Sequence, residues 1–311
     1  MDVTEKSRDI TEYKHFINHM LNNRQWSGLE KKDIERWIGN FVDIADDVEM
    51  YYVYKLLANL IYFSENDMID SLSNGIINYL HRDVILKEQI ESGFTLSSKA
   101  IDNIIKKMIA GTCFTPLLDN DAPHESGNYI MRLIVQGGLA PVSQSVFAKE
   151  ISKTGYERLV IVDDCLGTGQ QLKAFWENQK LCIEEKDVLL RDFCEERKIE
   201  VCYLVLFGYE DNINALRTDL PDLSIYCVNK LGNKQRVFSD ESYIWENSSE
   251  RDQARDFFQK ITREFGIAFL GYNGLDFAFI MHHTIPDWSL PLFWQERPEW
   301  KVLLRRKNSN G

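Results

Sequence analysis

The sequence predicts an α/β protein with a parallel-sheet core over residues 111–311 and a helical module over residues 1–110. Three observations lead to this fold class. Apolar residues recur at helical spacing through the first third of the chain. Short β-branched runs then alternate with helical stretches, as they do where helices join parallel strands. Apolar residues make up 44% of the 311 residues, which is enough to bury a sizeable core.

Four amphipathic stripes predict the helices of the N-terminal module. Ser64 precedes Asp67 by three residues, which is the capping-box spacing that opens the third of these helices. No strand-like run precedes residue 128, so we expect a helical or winged-helix-like module. Plain helical packing is favoured over DNA binding because the chain carries a net charge of −12. The stripes cover residues 34–45, 53–61, 69–80 and 101–109.

The second part of the chain predicts the sheet and the helices that cover it. Residues 111–128 are rich in Gly, Pro, Asn, Asp and Ser, which is typical of a connector or a functional loop. The apolar run 129–135 fits either a helix or a strand. We expect strands at 159–162, 201–207 and 223–228, helices at 170–179, 211–217 and 251–265, and a closing apolar run at 275–281.

The composition argues against several classes of protein. An acidic chain of this kind is not expected to bind DNA tightly on its own. The six cysteines and six histidines show no metal-ligand spacing, so we expect reduced thiols in a cytoplasmic protein. The N-terminus is charged and has no apolar core of the kind found in signal peptides, so we expect no signal peptide. The longest apolar stretch, 51–63, is too short and too polar to span a bilayer, so no membrane partner is expected.

Residues 159–172 carry the most chemical information. A buried strand is expected to end in Asp163 and Asp164, and the glycine-rich loop 167–169 then leads into a helix. Ligands of open α/β sheets bind beyond the carboxyl ends of the strands. A glycine-rich loop before a helix can aim several N–H groups at an anion, and Thr168 adds a hydroxyl donor. The carboxylates can accept hydrogen bonds from the paired hydroxyls of a ribose, or act through magnesium-bound water.

Two other phosphate-binding motifs fit this segment poorly. A Walker A loop needs a lysine after its last glycine, and no lysine follows Gly169. A dinucleotide fingerprint needs a third glycine, where this chain has Leu172, and its acid lies about 20 residues further on. The remaining structural alternative is a strand that ends in two solvated acids and a turn.

The run VIVDDCLGTGQQL resembles the ribose-5-phosphate signature of the type I phosphoribosyltransferases. That signature consists of an apolar strand, two acids, three variable residues, Thr-Gly and a small hydroxyl residue. The whole chain resembles, more narrowly, the phosphoribosyltransferase-like proteins of bacterial conflict and antiphage systems, including retron-associated effectors. Three further segments carry this narrower resemblance, namely 34–41, 125–127 and 271–294.

The resemblance implies a role for each residue that matches the signature. Asp163 and Asp164 would be the catalytic residues and would accept the ribose 2- and 3-hydroxyls. Ser126 and Gly127 form a looser match to a pyrophosphate loop. Gln171 departs from the family, which has Thr or Ser there, so one hydroxyl donor to the phosphate is lost. The ribose and phosphate site would comprise Asp163, Asp164, Cys165, Leu166, Gly167, Thr168, Gly169, Gln170 and Gln171.

The resemblance also implies a toxin-like effector of an antiphage defence system such as a retron. Such an effector binds phosphoribosyl pyrophosphate with Mg²⁺, or a nucleotide that contains ribose 5-phosphate, and transfers or hydrolyses the phosphoribosyl group. The implied partners are a reverse transcriptase with its DNA, a winged-helix subunit and a second copy of the chain. The sequence identifies no nucleophile, so water and a macromolecular target both remain open.

Two alternatives stay open. The first is a non-catalytic subunit of the same fold that senses ribose phosphates or mediates assembly. The departure at Gln171 and the absence of a readable base pocket motivate it. The second is a regulator that contacts DNA through the helical module.

Overall fold

A computed structural model describes residues 3–117 and 126–305. The chain divides into two compact units, Met1–Asp67 with Leu231–Gly311 and Met68–Lys230. The sequence placed a boundary at residue 110 instead. The division differs because one apolar core contains residues 17–60 together with residues 237–303, so the C-terminal part of the chain packs with the first helices.

The two units contain eleven numbered helices and eight numbered strands within the described residues. In chain order these elements are α1 (Val3–Asn22), α2 (Lys31–Ile38), α3 (Asp47–Ala58), β1 (Ile61–Phe63), α4 (Glu65–Asn74), a π-helical segment (Gly75–His81), α5 (Arg82–Glu91), α6 (Ser98–Gly111), β2 (Thr112–Pro116), α7 (Ser126–Gln136), β3 (Arg158–Leu166), α8 (Gln170–Asn178), β4 (Lys180–Ile183), β5 (Lys186–Leu189), α9 (Leu190–Arg197), β6 (Glu200–Tyr209), α10 (Glu210–Asp219), β7 (Ser224–Leu231), α11 (Ser248–Glu264) and β8 (Phe279–Met281).

Local capping explains where several helices begin. The predicted capping box at α4 is confirmed, because the Ser64 amide donates to Asp67 Oδ2 at 2.8 Å and the Asp67 amide donates to Ser64 Oγ at 3.2 Å. Asp46 and Glu49 form the same reciprocal pair at the start of α3. The first predicted stripe, 34–45, forms a shorter helix than expected, since α2 ends at Ile38 and turns follow.

Two strands lie before residue 128, so the expectation of a strand-free first third is wrong. β1 is three residues long and continues directly from an apolar helical stripe, which hides it in the sequence. β2 is fully buried, but it lies at the edge of its sheet and ends at Pro116, within the stretch predicted as a loop. Residues 118–125 of that predicted loop lie outside the described residues, and its last three residues, 126–128, belong to α7 instead.

The first unit is held together by aromatic packing between the two ends of the chain. β1 pairs with β8 in parallel, with Ile61 opposite Phe279. The indole N–H groups of Trp37 and Trp300 both donate to the Leu292 carbonyl, each at 2.9 Å. These bonds satisfy polar atoms inside an apolar core, where an unpaired donor would be costly.

The second unit has the α/β architecture that the sequence predicted. Its four-stranded sheet has the order β2-β3-β6-β7, and β3 pairs in parallel with both β2 and β6. α7 packs against β2 and β3, which settles the ambiguous run 129–135 as a helix. Because parallel strands end at the same edge, the carboxyl ends of β2, β3 and β6 lie side by side. Within the described residues, no helix is long and apolar enough to cross a membrane.

We expect the buried ion pair of the first unit to be essential to its stability. Lys55 Nζ lies 2.8 Å from Glu250 Oε1, and both side chains are almost fully buried. Lys55→Met leaves the Glu250 carboxylate buried without its cation, which should lower the free energy of unfolding by about 3–5 kcal/mol.

Urea unfolding followed by tryptophan fluorescence measures this loss, because Trp176 lies in the second unit and the other six tryptophans lie in the first. The matched control is Lys31→Met, which breaks an exposed pair with Glu35 and should change the free energy by less than about 1 kcal/mol. Equal effects of the two substitutions would contradict the prediction.

Candidate ribose-phosphate site

The two predicted site acids lie inside β3 and are buried. Asp163 is 4% exposed and Asp164 is 2% exposed. Asp163 lies opposite Val205 of β6, in register with the rest of the parallel ladder. Successive side chains of a strand leave on opposite faces, so the two carboxylates diverge across the sheet. The sequence predicted that the strand ends at these acids, but β3 continues to Leu166, so both acids lie within the strand.

Asp163 is held by hydrogen bonds to both of its oxygens. The Tyr203 hydroxyl donates to Oδ2 at 3.2 Å, and the Asp164 amide donates to Oδ1 at 2.9 Å. Burial, followed by the nearby Asp163 charge, raises the pKa of Tyr203 well above its usual value, so this phenol stays protonated and remains a donor. Sequence reasoning missed Tyr203, although a lone hydroxyl within the apolar run 201–207 was a readable signal.

The predicted loop has the backbone conformation that its glycines allow. Gly169 has φ of +77°, and an added Cβ would lie 3.1 Å from the Leu216 side chain. α8 begins at the next residue, so the positive end of the helix dipole lies at this loop. The Gln170 amide lies 3.5 Å from Thr168 Oγ1. Gln171 lies exposed in the first turn of α8.

The neighbouring helix α10 supplies contacts that the sequence did not predict. Asn212 Nδ2 donates to the Gly167 carbonyl at 2.6 Å. The Tyr209 hydroxyl donates to Asp211 Oδ2 at 2.6 Å, at the point where β6 passes into α10. No local motif marks Asn212, because its importance depends on β6 pairing beside β3.

The start of α7 lies at the same edge of the sheet. An added Cβ at Gly127 would come within 2.8 Å of the Leu117 carbonyl oxygen, so only glycine fits beside that backbone. The Leu117 amide donates to the Val162 carbonyl at 2.9 Å, directly before Asp163. The start of α7, which holds Gly127 of the predicted pyrophosphate loop, therefore adjoins β3 beside Asp163. The Ser126 side chain and Glu125 lie outside what the structure describes.

The charged groups of this edge determine which metal chemistry they could support. Within residues 3–117 and 126–305, no group of three or more His, Cys, Asp or Glu side chains could hold a metal ion. Mg²⁺ commonly binds through one or two carboxylates together with substrate phosphates and water. Because Asp163 and Asp164 leave β3 on opposite faces, only one of the two carboxylates fits that arrangement at a single ion.

The comparisons with known proteins identify the family of this chain. The model of the PRTase-CE family matches residues 34–306, which is most of the chain. The chain belongs to the PRTase-CE family. The predicted resemblance to phosphoribosyltransferase-like proteins is thus confirmed at the level of the family.

Among solved structures, the crystal structure of orotate phosphoribosyltransferase from Aeropyrum pernix is similar to part of this PRTase-CE protein. The match has 12% identity and a TM-score of 0.25, and it covers 40% of this chain and 62% of that chain. No curated protein matches the sequence.

All six cysteines lie in the second unit, and their thiols differ in accessibility. Cys165 is half-buried beside Asp164, and Cys182 is exposed. Burial raises the pKa of each of the four remaining thiols to about 12, so almost none of them is thiolate near neutral pH. These buried thiols are Cys113, Cys194, Cys202 and Cys227.

We expect two of the six thiols to react with a disulfide reagent in the native protein at pH 8. Cys182 should react first and Cys165 more slowly, because the thiolate is the reacting species and access is limited at Cys165. The four buried thiols should react only in urea. Peptide mapping after timed labelling measures the order. Native labelling of any buried thiol at the rate of Cys182 would refute it.

Proposed function

We propose that this PRTase-CE protein binds phosphoribosyl pyrophosphate with Mg²⁺, or a nucleotide-like ribose phosphate, at the carboxyl edge of β3. It would transfer or hydrolyse the phosphoribosyl group as an effector of an antiphage defence system such as a retron. One observation carries the proposal. The buried acids, the loop 167–169 and the starts of α7 and α8 meet at one edge of a parallel sheet.

The 5-phosphate would bind at the loop 167–169. A helix that begins directly after a glycine-rich turn presents partial positive charge to an anion. α8 meets this condition because it starts at Gln170, one residue beyond Gly169. Gln171 would replace the family's hydroxyl donor with an amide, whose longer reach changes the fit around the phosphate.

The ribose would lie against the end of β3. Asp163 and Asp164 would accept hydrogen bonds from its hydroxyls and stabilise positive charge as the ring becomes cation-like. The bond between C1 and the pyrophosphate oxygen breaks, the electron pair leaves with pyrophosphate, and a nucleophile forms the new bond to C1. Tyr203 would keep Asp163 in place, because its protonated hydroxyl donates a hydrogen bond to Oδ2.

Magnesium would arrive with the substrate and neutralise the leaving pyrophosphate. The start of α7 adjoins β3 beside Asp163 through Leu117, which supports placing the pyrophosphate there. The protein's own contribution is then to position the two phosphate groups on either side of the ribose.

Partners would supply the contacts to nucleic acid that the acidic chain disfavours. A net charge of −12 disfavours tight nucleic-acid binding by the isolated protein. A reverse transcriptase with its DNA, a winged-helix subunit or a second copy of the chain would hold the effector inactive until infection.

A non-catalytic binding subunit is the second candidate, and one observation favours it. Both acids are at most 4% exposed and point to opposite faces of β3, so a ribose can reach both only if the site rearranges. Such a subunit would bind the ligand without releasing pyrophosphate. Measuring pyrophosphate release from phosphoribosyl pyrophosphate, with and without the candidate partners, separates the two functions.

We expect the double variant Asp163→Asn/Asp164→Asn to lose calorimetrically measured affinity for phosphoribosyl pyrophosphate with Mg²⁺. The loss should be at least about tenfold, because two charge-assisted hydrogen bonds to ribose hydroxyls become weaker neutral ones. The matched control is Asp222→Asn, an exposed aspartate of the same unit, which should bind like the wild type. Unchanged binding and unchanged defence in the double variant would end the proposal.

A further inference from the structure

The contact between α10 and the loop 167–169 points to a positioning residue that the signature does not contain. We propose that Asn212 fixes the orientation of the peptide between Gly167 and Thr168, so that the Thr168 amide faces the bound 5-phosphate. The inference rests on the proposed function and names a further determinant of the same site.

The geometry of the peptide unit supports this role. In a trans peptide, the carbonyl oxygen and the amide hydrogen point in opposite directions. Asn212 Nδ2 holds the Gly167 carbonyl at 2.6 Å, on the side of α10. The amide of Thr168 belongs to the same peptide unit, so it must point away from α10. One side-chain hydrogen bond thereby selects which end of this peptide dipole faces the space beyond the strand.

The loop needs such a restraint because of its own composition. Gly167 has no Cβ, so rotation about its backbone bonds meets little steric resistance. A flipped peptide would present the Gly167 carbonyl oxygen to the phosphate in place of an N–H donor, which is electrostatically unfavourable. The backbone flexibility that lets the loop form also permits the flipped peptide, and the hydrogen bond from Asn212 prevents that flip.

α10 is placed firmly enough to act as this support. Asn212 and Leu216 are four residues apart and therefore lie on one face of the helix. A Cβ on Gly169 would lie 3.1 Å from the Leu216 side chain, and Asn212 contacts Gly167, so α10 contacts the loop 167–169 at both ends of the loop. Ile213 is fully buried, and its side chain lies where a Cβ on Gly208 would be. The support is thus anchored to β6, the strand next to β3.

Substitutions of Asn212 separate a role in peptide orientation from a role in packing. Asn212→Asp keeps the shape of the side chain but places a carboxylate against a carbonyl oxygen and near the anion. Asn212→Ala only removes the donor. Orientation predicts that affinity falls from the wild type to the Ala variant and falls further in the Asp variant. Packing predicts that the Asp variant keeps more affinity than the Ala variant.

The experiment titrates each protein calorimetrically with ribose 5-phosphate and Mg²⁺ at pH 7.5. We expect the dissociation constant of Asn212→Ala to be about tenfold larger than that of the wild type, which matches the loss of one hydrogen bond. The dissociation constant of Asn212→Asp should be larger still. Asn214→Ala, on the exposed side of the same helix, is the control and should bind like the wild type. Urea midpoints establish that each variant is folded.

The outcomes distinguish this inference from the proposed function. If the wild-type protein binds neither ribose 5-phosphate nor phosphoribosyl pyrophosphate, the proposed function fails and the inference fails with it. If the wild type binds and Asn212→Ala binds equally well, or if Asn212→Asp binds better than Asn212→Ala, the inference alone is overturned. A loss that is equal in the Asn214→Ala control would also overturn it.

Discussion

The parallel pairing of β3 with a strand on each side is the constraint on which the candidate site depends. The pairing with β2 and β6 fixes the register of β3. Asp163 and the following loop therefore cannot shift along the strand direction without breaking the hydrogen bonds of the ladder. The same pairing brings Leu117 and Tyr203, from two other segments, to this edge. The site is therefore a property of the sheet as well as of the signature within one strand.

Burial of two adjacent aspartates is costly unless their oxygens are hydrogen-bonded. Asp163 meets this requirement through Tyr203 and the Asp164 amide. A carboxylate that is already bonded at both oxygens is rigid, which favours a defined geometry over rapid adaptation. Under the proposed function, a ribose hydroxyl would share the Asp163 carboxylate with the Tyr203 hydroxyl and the Asp164 amide, since each carboxylate oxygen carries two lone pairs.

The sequence predicted the helices and strands that are marked by a pattern within their own residues. β3, α8 and α10 were expected within a few residues of where they lie, because a short apolar, β-branched run marks the strand and polar-apolar patterns mark the helices. β1 and β2 were missed because three- and five-residue strands carry too little pattern, and their assignment depends on partners far along the chain. The site divides in the same way, since the loop 167–169 was readable and Asn212 was not.

Asn212 shows why a motif is an incomplete description of an anion site. The signature contains glycines, whose backbone can adopt the binding conformation and also conformations that do not bind. Something outside the motif must choose between them, and it must come from an element whose position is fixed independently of the ligand. α10 satisfies this condition, because Ile213 secures it to β6 before any ligand binds. Under the proposed function, selectivity for an anion would originate in helix packing as much as in the loop itself.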